Sequence, residues 1–216
     1  DDDKYSEDFP EGDSERWAIG VKHRGNYGES WRTTIKYNKV SDPDYVRDLD
    51  NSTLSSQRQT ALKQLGQIDY LGKDWKVSLQ AQQFQSLADD ITNNYKKLPQ
   101  LTARWRGDAN LAGLQPIALL QYSNFDTDAN RVRGERVYGE AGVTYPLDWT
   151  WGFLRTTAKY RSVAYDLENL RSLPEAKPDA NSGVFSVDGG LIFERATTFG
   201  GQSMSQTLEP RVFYLY

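Results

Sequence analysis

The sequence predicts an all-β protein, a transmembrane antiparallel up-and-down β-barrel, on three observations. Apolar and polar residues alternate with period two along most of the chain, the mark of strands with two different faces. Short connections take turns with long polar ones, as they do when each strand pair of an outer-membrane barrel has a tight turn on one side and a longer loop on the other. Aromatic residues, Tyr 13 and Trp 6 in 216 residues, gather near the expected strand ends, where such barrels carry interfacial girdles.

The elements follow in order. Trp17, Ile19 and Val21 share one face of a first strand over Trp17 to Gly25, and Lys22 and Arg24 share the other. After the Asn26-Tyr27-Gly28 turn, Trp31, Thr33, Ile35 and Tyr37 alternate with Arg32, Thr34, Lys36 and Asn38 up to Val40. A long polar loop, Ser41 to Gln59, leads to a strand from Thr60 to Leu71, and Gly72-Lys73-Asp74 is hairpin-turn chemistry. Trp75, Val77, Leu79 and Ala81 then oppose Lys76, Ser78, Gln80 and Gln82, with Phe84 out of step, which predicts a bulge or the end of the spanning part. Pro99, Leu101, Ala103 and Trp105 oppose Gln100, Thr102, Arg104 and Arg106, and the chain turns at Gly107 to Asn110 and returns over Leu114 to Asn124. The loop Asp126 to Glu135 precedes a strand from Val137 to Leu147, and a turn near Asp148 precedes one from Leu154 to Ala164. A second very long loop, Glu168 to Ser182, is followed by Phe185 to Phe193 and by Leu208 to Tyr216. The total is about ten strands, with no amphipathic helix beyond a turn or two.

Composition narrows the classes of function. No run approaches eighteen apolar residues, so no transmembrane helix is expected, and no signal peptide opens the chain. Cys 0 removes disulfides, thiol nucleophiles and thiolate metal sites from this stretch. A net charge of −4 without a basic patch argues against nucleic acid as a partner. His23, the one histidine, stands between Lys22 and Arg24 with no distinctive motif around any serine, so no catalytic residue is expected; it reads as a strand-end residue. Asp42-Asp44 and Asp89-Asp90 lack the ordered spacing of a calcium loop, so no metal or cofactor site is expected and solvated loop carboxylates are the reading. In the loop from Ser41, Asp42-Pro43 is turn chemistry, whereas Tyr45, Val46 and Leu49 give it an apolar surface that a purely solvated loop does not need. The loop is therefore expected to fold back onto something.

Several stretches go beyond pattern: Lys39-Val40-Ser41-Asp42-Pro43-Asp44-Tyr45 continuing through Asp48-Leu49-Asp50-Asn51, Gln83-Phe84-Gln85, Leu98-Pro99-Gln100-Leu101, Val187-Asp188-Gly189 with Phe193-Glu194-Arg195, and Thr207-Leu208-Glu209-Pro210-Arg211 ending in Tyr214-Leu215-Tyr216. In this order and spacing they resemble the C-terminal barrel region of the LptD family, the lipopolysaccharide-assembly proteins of the Gram-negative outer membrane. The resemblance covers nearly the whole chain. It implies that residues 1–216 are one partial barrel domain, about ten strands of a barrel of about twenty-six. The family's periplasmic jelly-roll domain and the strands of its lateral gate have no counterpart here.

The resemblance also implies function and partners: part of the translocon that assembles lipopolysaccharide at the cell surface, the plug lipoprotein LptE, outer-membrane lipid, and the periplasmic bridge protein LptA through the missing N-terminal domain. An inward contact of Tyr45, Val46 and Leu49 with the plug is the implied reading of the first long loop, and packing onto neighbouring loops is the alternative. The expected lumen cations are Arg32, Lys36, Arg104, Arg106, Arg155, Lys159 and Arg161, accompanied by Lys63, Lys76, Arg136 and Arg211 and by the acids Asp69, Glu140, Asp188 and Glu209. Arginine suits bidentate phosphate contacts on lipopolysaccharide, yet opposite charges on neighbouring strands also pair with each other. A complete ten-stranded barrel enzyme such as a protease is the alternative function, and a soluble β-sandwich would not need long and short loops to alternate.

Overall fold

A computed structural model describes residues 16–43, 45, 61–87, 95–109, 112–170 and 175–216. All regular structure in these residues is extended: β1 (Ala18–Tyr27), β2 (Trp31–Val40), β3 (Ala61–Leu71), β4 (Trp75–Ser86), β5 (Lys96–Arg106), β6 (Gln115–Asp126), β7 (Arg133–Trp149), β8 (Gly152–Glu168), β9 (Asp179–Leu191), β10 (Phe193–Phe199), β11 (Gln202–Leu208) and β12 (Arg211–Leu215). Ten of them form one antiparallel sheet in the order β1-β2-β3-β4-β5-β6-β7-β8-β9-β12. The meander follows from the turns, because a two- or three-residue reversal brings successive strands side by side in antiparallel register. The sheet is open, with β1 and β12 at its two edges.

Register puts the apolar phases of successive strands on one common face. Val21 lies opposite Tyr37, Ile68 between Thr33 and Leu79, Leu101 between Leu79 and Tyr122, and Leu120 between Ala103 and Gly139. On β7 to β9 the same face carries Val143, Ala158 and Phe185 in one row. These side chains are not covered: Leu79, Leu101 and Leu120 are 46%, 40% and 55% exposed. A continuous apolar surface marks an interaction face. Buried hydrophobic residues are few among those described, and Val40, Leu62 and Leu87 cluster at the long-loop end with Ala18 and Tyr45 packed against them.

Aromatic rings mark one level of the apolar face, at the short-turn end. Trp31 packs on Tyr70 at 5.1 Å between centroids, Trp75 on Trp105 at 6.2 Å, and Trp149 stacks on Trp151 at 5.0 Å. Each of the first two pairs is a directly opposed cross-strand pair. Trp17 stands instead at the long-loop end, under the Lys39 ammonium at 5.8 Å. Tyr95, just before β5, turns its hydroxyl to the Val132 carbonyl at 2.7 Å in the connection between β6 and β7.

Four expectations are corrected. β7 and β8 run for 17 residues each, so the expected loop Asp126 to Glu135 gives way to strand from Arg133, and the expected loop Glu168 to Ser182 gives way from Asp179. Their polar outer ends keep the ladder going because Arg133, Glu168, Asp166 and Lys177 are joined by ion pairs. The third correction concerns the last two strands, expected as Phe185 to Phe193 and Leu208 to Tyr216. Gly190 faces Arg211 and Phe193 faces Leu208, so β9-β10 and β11-β12 share one register, interrupted only at Ile192 and Glu209-Pro210. Pro210 has no N–H to give, and the Ile192 N–H goes to Trp151 at 2.7 Å. Beyond that break β10 and β11 continue as a free two-stranded blade at the short-turn end, about 20 Å long at about 3.4 Å per residue. The bulge expected from Phe84 is not on β4, which keeps unbroken register with β3 through Lys63 and Phe84; the register shift lies on β5, where the three steps from Lys97 to Gln100 face two on β4 and two on β6.

Candidate functional site

The face opposite the apolar one carries the charges, and it divides into two unlike halves. On β6 to β9 they are paired. Glu140 of β7 accepts the Lys159 ammonium at 2.9 Å, the Arg161 guanidinium at 2.8 Å and the Tyr138 hydroxyl at 3.1 Å. Arg155 reaches Asp148 at 3.4 Å and lies over the Phe153 ring at 5.2 Å. Arg211 of β12 holds both oxygens of Asp188 at 2.7 Å. A polar chain runs beside them, with Arg136 donating to Gln121 and Gln121 donating to Thr102 at 3.1 Å.

The β1 to β5 half is different. Among the described residues Arg32, Lys36, Lys76, Arg104 and Arg106 have no carboxylate within salt-bridge distance, and Asp69 is occupied by the Gln67 amide at 2.8 and 2.9 Å. Register sets like charges opposite each other, Lys22 facing Lys36 and Lys76 facing Arg104. Of the seven expected lumen cations, then, Arg155, Lys159 and Arg161 meet carboxylates of their own sheet, while Arg32, Lys36, Arg104 and Arg106 stand free on the polar face. Strand alternation was enough to put all seven on that face. Which were paired depended on strand order and reach.

At the long-loop end the root of the first long loop is locked to the N-terminal flank of β1. Arg16, whose side chain is 3% exposed, donates Nε to Asp42 at 3.1 Å and Nη2 at 2.9 Å, and its guanidinium lies 5.6 Å from the Tyr45 ring centroid. Ser41 gives its hydroxyl to Asp42 at 2.7 Å and its N–H to the Trp17 carbonyl at 2.9 Å. Burial pushes the Asp42 carboxyl up, but the hydrogen bonds from Arg16 and Ser41 outweigh it and hold the group below its ordinary value. Tyr45, like Ala18, packs against the buried cluster of Val40, Leu62 and Leu87, so the loop root rests on the long-loop ends of β2, β3 and β4. The expected folding back is therefore seen at Tyr45, and what it folds onto is the cluster that closes the ends of β2, β3 and β4. Val46 and Leu49 lie outside the described residues.

His23 sits on the apolar-face phase of β1, opposite Ile35, and shares a hydrogen bond with Thr33 Oγ1 at 3.1 Å. Asp42, read from sequence as a capping residue of the bend, does hold the Tyr45 backbone N–H and is in addition the ion-pair partner of Arg16. Two features escaped the sequence reading altogether: that latch, and a clasp between Gln85 and Val40. Both join residues 26 and 45 positions apart, and local pattern carries no signal at such separations.

Comparison with known proteins gives one consistent result. Residues 14–216 match the family model described as LptD, LPS transport system D. Among similar proteins is the LPS-assembly protein LptD of Alkalilimnicola ehrlichii, 35% identical over 206 residues that make up 94% of this chain and 27% of that protein. That of Hahella chejuensis is 33% identical over 229 residues, covering 100% of this chain and 28% of the relative, and that of Pseudomonas syringae pv. syringae is 32% identical over 248 residues, covering 100% and 26%. The chain thus spans about a quarter of the length of the relatives it matches.

Proposed function

Because this chain belongs to the LptD family, we propose that its ten-stranded sheet is a stretch of wall in an outer-membrane lipopolysaccharide translocon, a part that moves and assembles its substrate without doing chemistry on it. The observation that carries this reading is the division of one sheet into an uncovered apolar face bordered at its short-turn end by aromatic pairs and an opposite face set with cations. A barrel wall needs both. In the bilayer every backbone N–H and C=O has to pair within the sheet, which a continuous antiparallel ladder achieves, and side chains then divide between lipid and a hydrated lumen. The two open edges, β1 and β12, fit a sheet whose neighbours lie in the remainder of a larger barrel.

In this reading the apolar face meets outer-membrane lipid, the short turns and the β10-β11 blade face the periplasm, and the long connections face outward. Lipopolysaccharide passes along the polar face, where Arg32, Lys36, Arg104 and Arg106 offer cations to its phosphates and acidic sugars. The loop that leaves Tyr45 is proposed to meet the plug lipoprotein LptE through Val46 and Leu49, since Tyr45 itself is engaged by the cluster of Val40, Leu62 and Leu87. Contact with the bridge protein LptA is assigned to the rest of the full-length protein. The complete ten-stranded enzyme has no observation in its favour.

The test is site-specific photo-crosslinking in the full-length protein in cells. Probes on the polar face, at Ser78 or Gln100, are expected to capture lipopolysaccharide only while its delivery is running. A probe at Tyr45 or Leu49 is expected to capture the plug. Polar-face probes that never capture lipopolysaccharide would sink the translocon reading, and capture of neighbouring loops alone from Leu49 would remove the plug contact.

A further inference from the structure

The β10-β11 blade is apolar on one side only, and that side continues the uncovered apolar face of the sheet. Because Gly190 faces Arg211 and Phe193 faces Leu208, the alternation passes through the break without losing count. Phe193, Arg195 and Thr197 therefore keep the phase of Val187 and Leu191, and their partners Leu208, Gln206 and Met204 keep that of Val212 and Tyr214. Phe193, Met204 and Leu208 are all exposed. The other side of the blade carries Glu194, Ala196, Ser205 and Thr207, where the Ser205 hydroxyl donates to Glu194 at 2.6 Å. Charge divides in the same way. Arg195 stands on the apolar side with its Nε donating to Gln206 at 2.8 Å, and among the described residues no carboxylate lies within salt-bridge distance of it.

The stacked pair Trp149 and Trp151 marks the level at which the blade begins, since the Trp151 carbonyl takes the Ile192 N–H. At about 3.4 Å per residue, a straight blade would carry Met204, opposite Thr197, about 17 Å past that level. The headgroup layer is only about 5 to 8 Å deep on each side of the hydrocarbon, so the apolar side of a straight blade would stand in water. Nothing holds it straight. β8 ends at Gly152 opposite Leu191, so among the described residues no strand lies beside β10, and the ladder is interrupted at Ile192 and Glu209-Pro210. We propose that the blade folds outward at this break and lies on the periplasmic leaflet, with Phe193, Met204 and Leu208 at the headgroup boundary and Arg195 on phospholipid phosphate. An element that rests on a membrane surface has this form, a shallow apolar side with a cation reaching to phosphate. Continuity with the apolar face and the placement of Arg195 on that side and Glu194 on the other favour a lipid surface over a soluble protein. The inference rests on the wall reading above and adds to it a phospholipid contact outside the barrel.

The experiment uses the full-length protein with its plug in vesicles of phosphatidylethanolamine and phosphatidylglycerol brominated high on their acyl chains. A small fluorescent amino acid is placed in turn at Met204, at Ser205 on the other side of the blade, and at Leu101 as the reference for the wall, and iodide on both sides of the membrane reports access from water. Quenching by brominated lipid is expected to be several-fold stronger at Met204 than at Ser205, with iodide access in the reverse order. Arg195→Gln is expected to lower the ratio of seated to free blade about fivefold, the worth of one cation at an anionic surface, and Arg195→Lys to keep the blade seated. Lipid quenching at Leu101 without any at Met204 would overturn the inference and leave the wall reading standing, whereas its absence at both positions would count against both. Equal lipid quenching at Met204 and Ser205 would overturn the assignment of sides. A Met204 label shielded from lipid and iodide alike would show that protein covers this side, and would overturn the phospholipid contact.

Discussion

The side-chain amide of Gln85 makes both hydrogen bonds of a β-ladder rung with the backbone of Val40: Nε2 donates to the Val40 carbonyl at 2.7 Å and Oε1 accepts from its N–H at 2.9 Å. The rung is needed because pairing of β2 with β3 ends at Tyr37 and Gln64, leaving the last residues of β2 paired with β1 but without a backbone partner on the β3 side. A side chain on β4 closes the gap that β3 leaves, and it does so over Val40, which is 1% exposed.

Gln85→Leu removes both bonds and strands two buried backbone groups, at about 1 to 3 kcal/mol for each group left unsatisfied. The expected readout is local. Hydrogen exchange at the Val40 amide should speed up strongly, whereas exchange in β7 and β8 stays as it was. Unchanged protection at Val40 would show that the clasp carries no weight.

The Arg16–Asp42 latch should be sensitive to acid. Asp42 is held below its ordinary value when folded, so its contribution is present above the unfolded carboxylate range near pH 4 and is lost as pH falls through the lower folded value. Protection of the Ser41 amide is expected to be flat from pH 7 to about 5 and to decline only in stronger acid. Asp42→Asn should cost about 2 kcal/mol locally at neutral pH and abolish that acid step. An acid step that survives in Asp42→Asn would assign it to another group.

The apolar face is expected to be lipid-exposed at mid-strand positions Leu101, Ala103, Val143 and Ala158, and Leu191, which the alternation placed mid-strand, stands instead at the short-turn end of β9 opposite Gly152. Arginine at Leu79 or Leu101 should destabilise the folded protein in bilayers by about 2 to 4 kcal/mol, against about 0.5 kcal/mol or less at Gln80 on the other face. Brominated-lipid quenching of a label at each site checks the facing independently. Equal quenching at Leu79 and Gln80 would remove the assignment.

Two glycines on β7 should behave oppositely. A Cβ on Gly142 would come within 2.3 Å of the Ala158 carbonyl oxygen, and backbone cannot yield as a side chain can, whereas a Cβ on Gly139 meets nothing within 4 Å. Gly142→Ala is expected to loosen the β7-β8 ladder at about 1 to 3 kcal/mol. Gly139→Ala should be neutral or stabilising by about 0.5 kcal/mol through the unfolded chain. Urea midpoints of the two variants in vesicles decide it.

The β10-β11 blade belongs to the short-turn side, because β9 runs from the long connections toward the turn at Trp149 to Trp151 before continuing into β10. Epitopes inserted at Gly201 and Lys73 of the full-length protein should share one side of the membrane in intact cells, and an epitope at Lys177 should report the other. Surface access at Gly201 together with Lys177 would contradict the shared register of the last hairpin.

Much of this protein was legible in its residues because strand alternation is a one-dimensional rule. Period two set which side chains share a face, turn chemistry at Gly72-Lys73-Asp74 and Asp148 set where the chain reverses, and these fixed the meander and the two unlike faces before any coordinate was known. Aromatic placement at Trp31, Tyr70, Trp75 and Trp105 followed from the same count. What alternation could not supply was full strand length: the polar outer ends of β7 and β8 read as loop because nothing apolar marks them, and the ion pairs that join them link residues 11 and 35 apart.

Tertiary structure alone decided the partners. Sequence placed all the cations on the polar face, but whether Lys159 is neutralised and Arg104 is not depends on which strand lies beside which and on the sideways reach of Glu140. The latch of Arg16 on Asp42 and the clasp of Gln85 on Val40 likewise exist only once distant strands are neighbours. The register of the last hairpin across Ile192 and Pro210 was hidden for a related reason: a missing N–H ends the ladder locally, and only the pairing on either side shows that the count was never lost. Facing is set by each residue's own backbone, so the sequence determines it; pairing is a relation between chains of atoms far apart in sequence, so only the fold does.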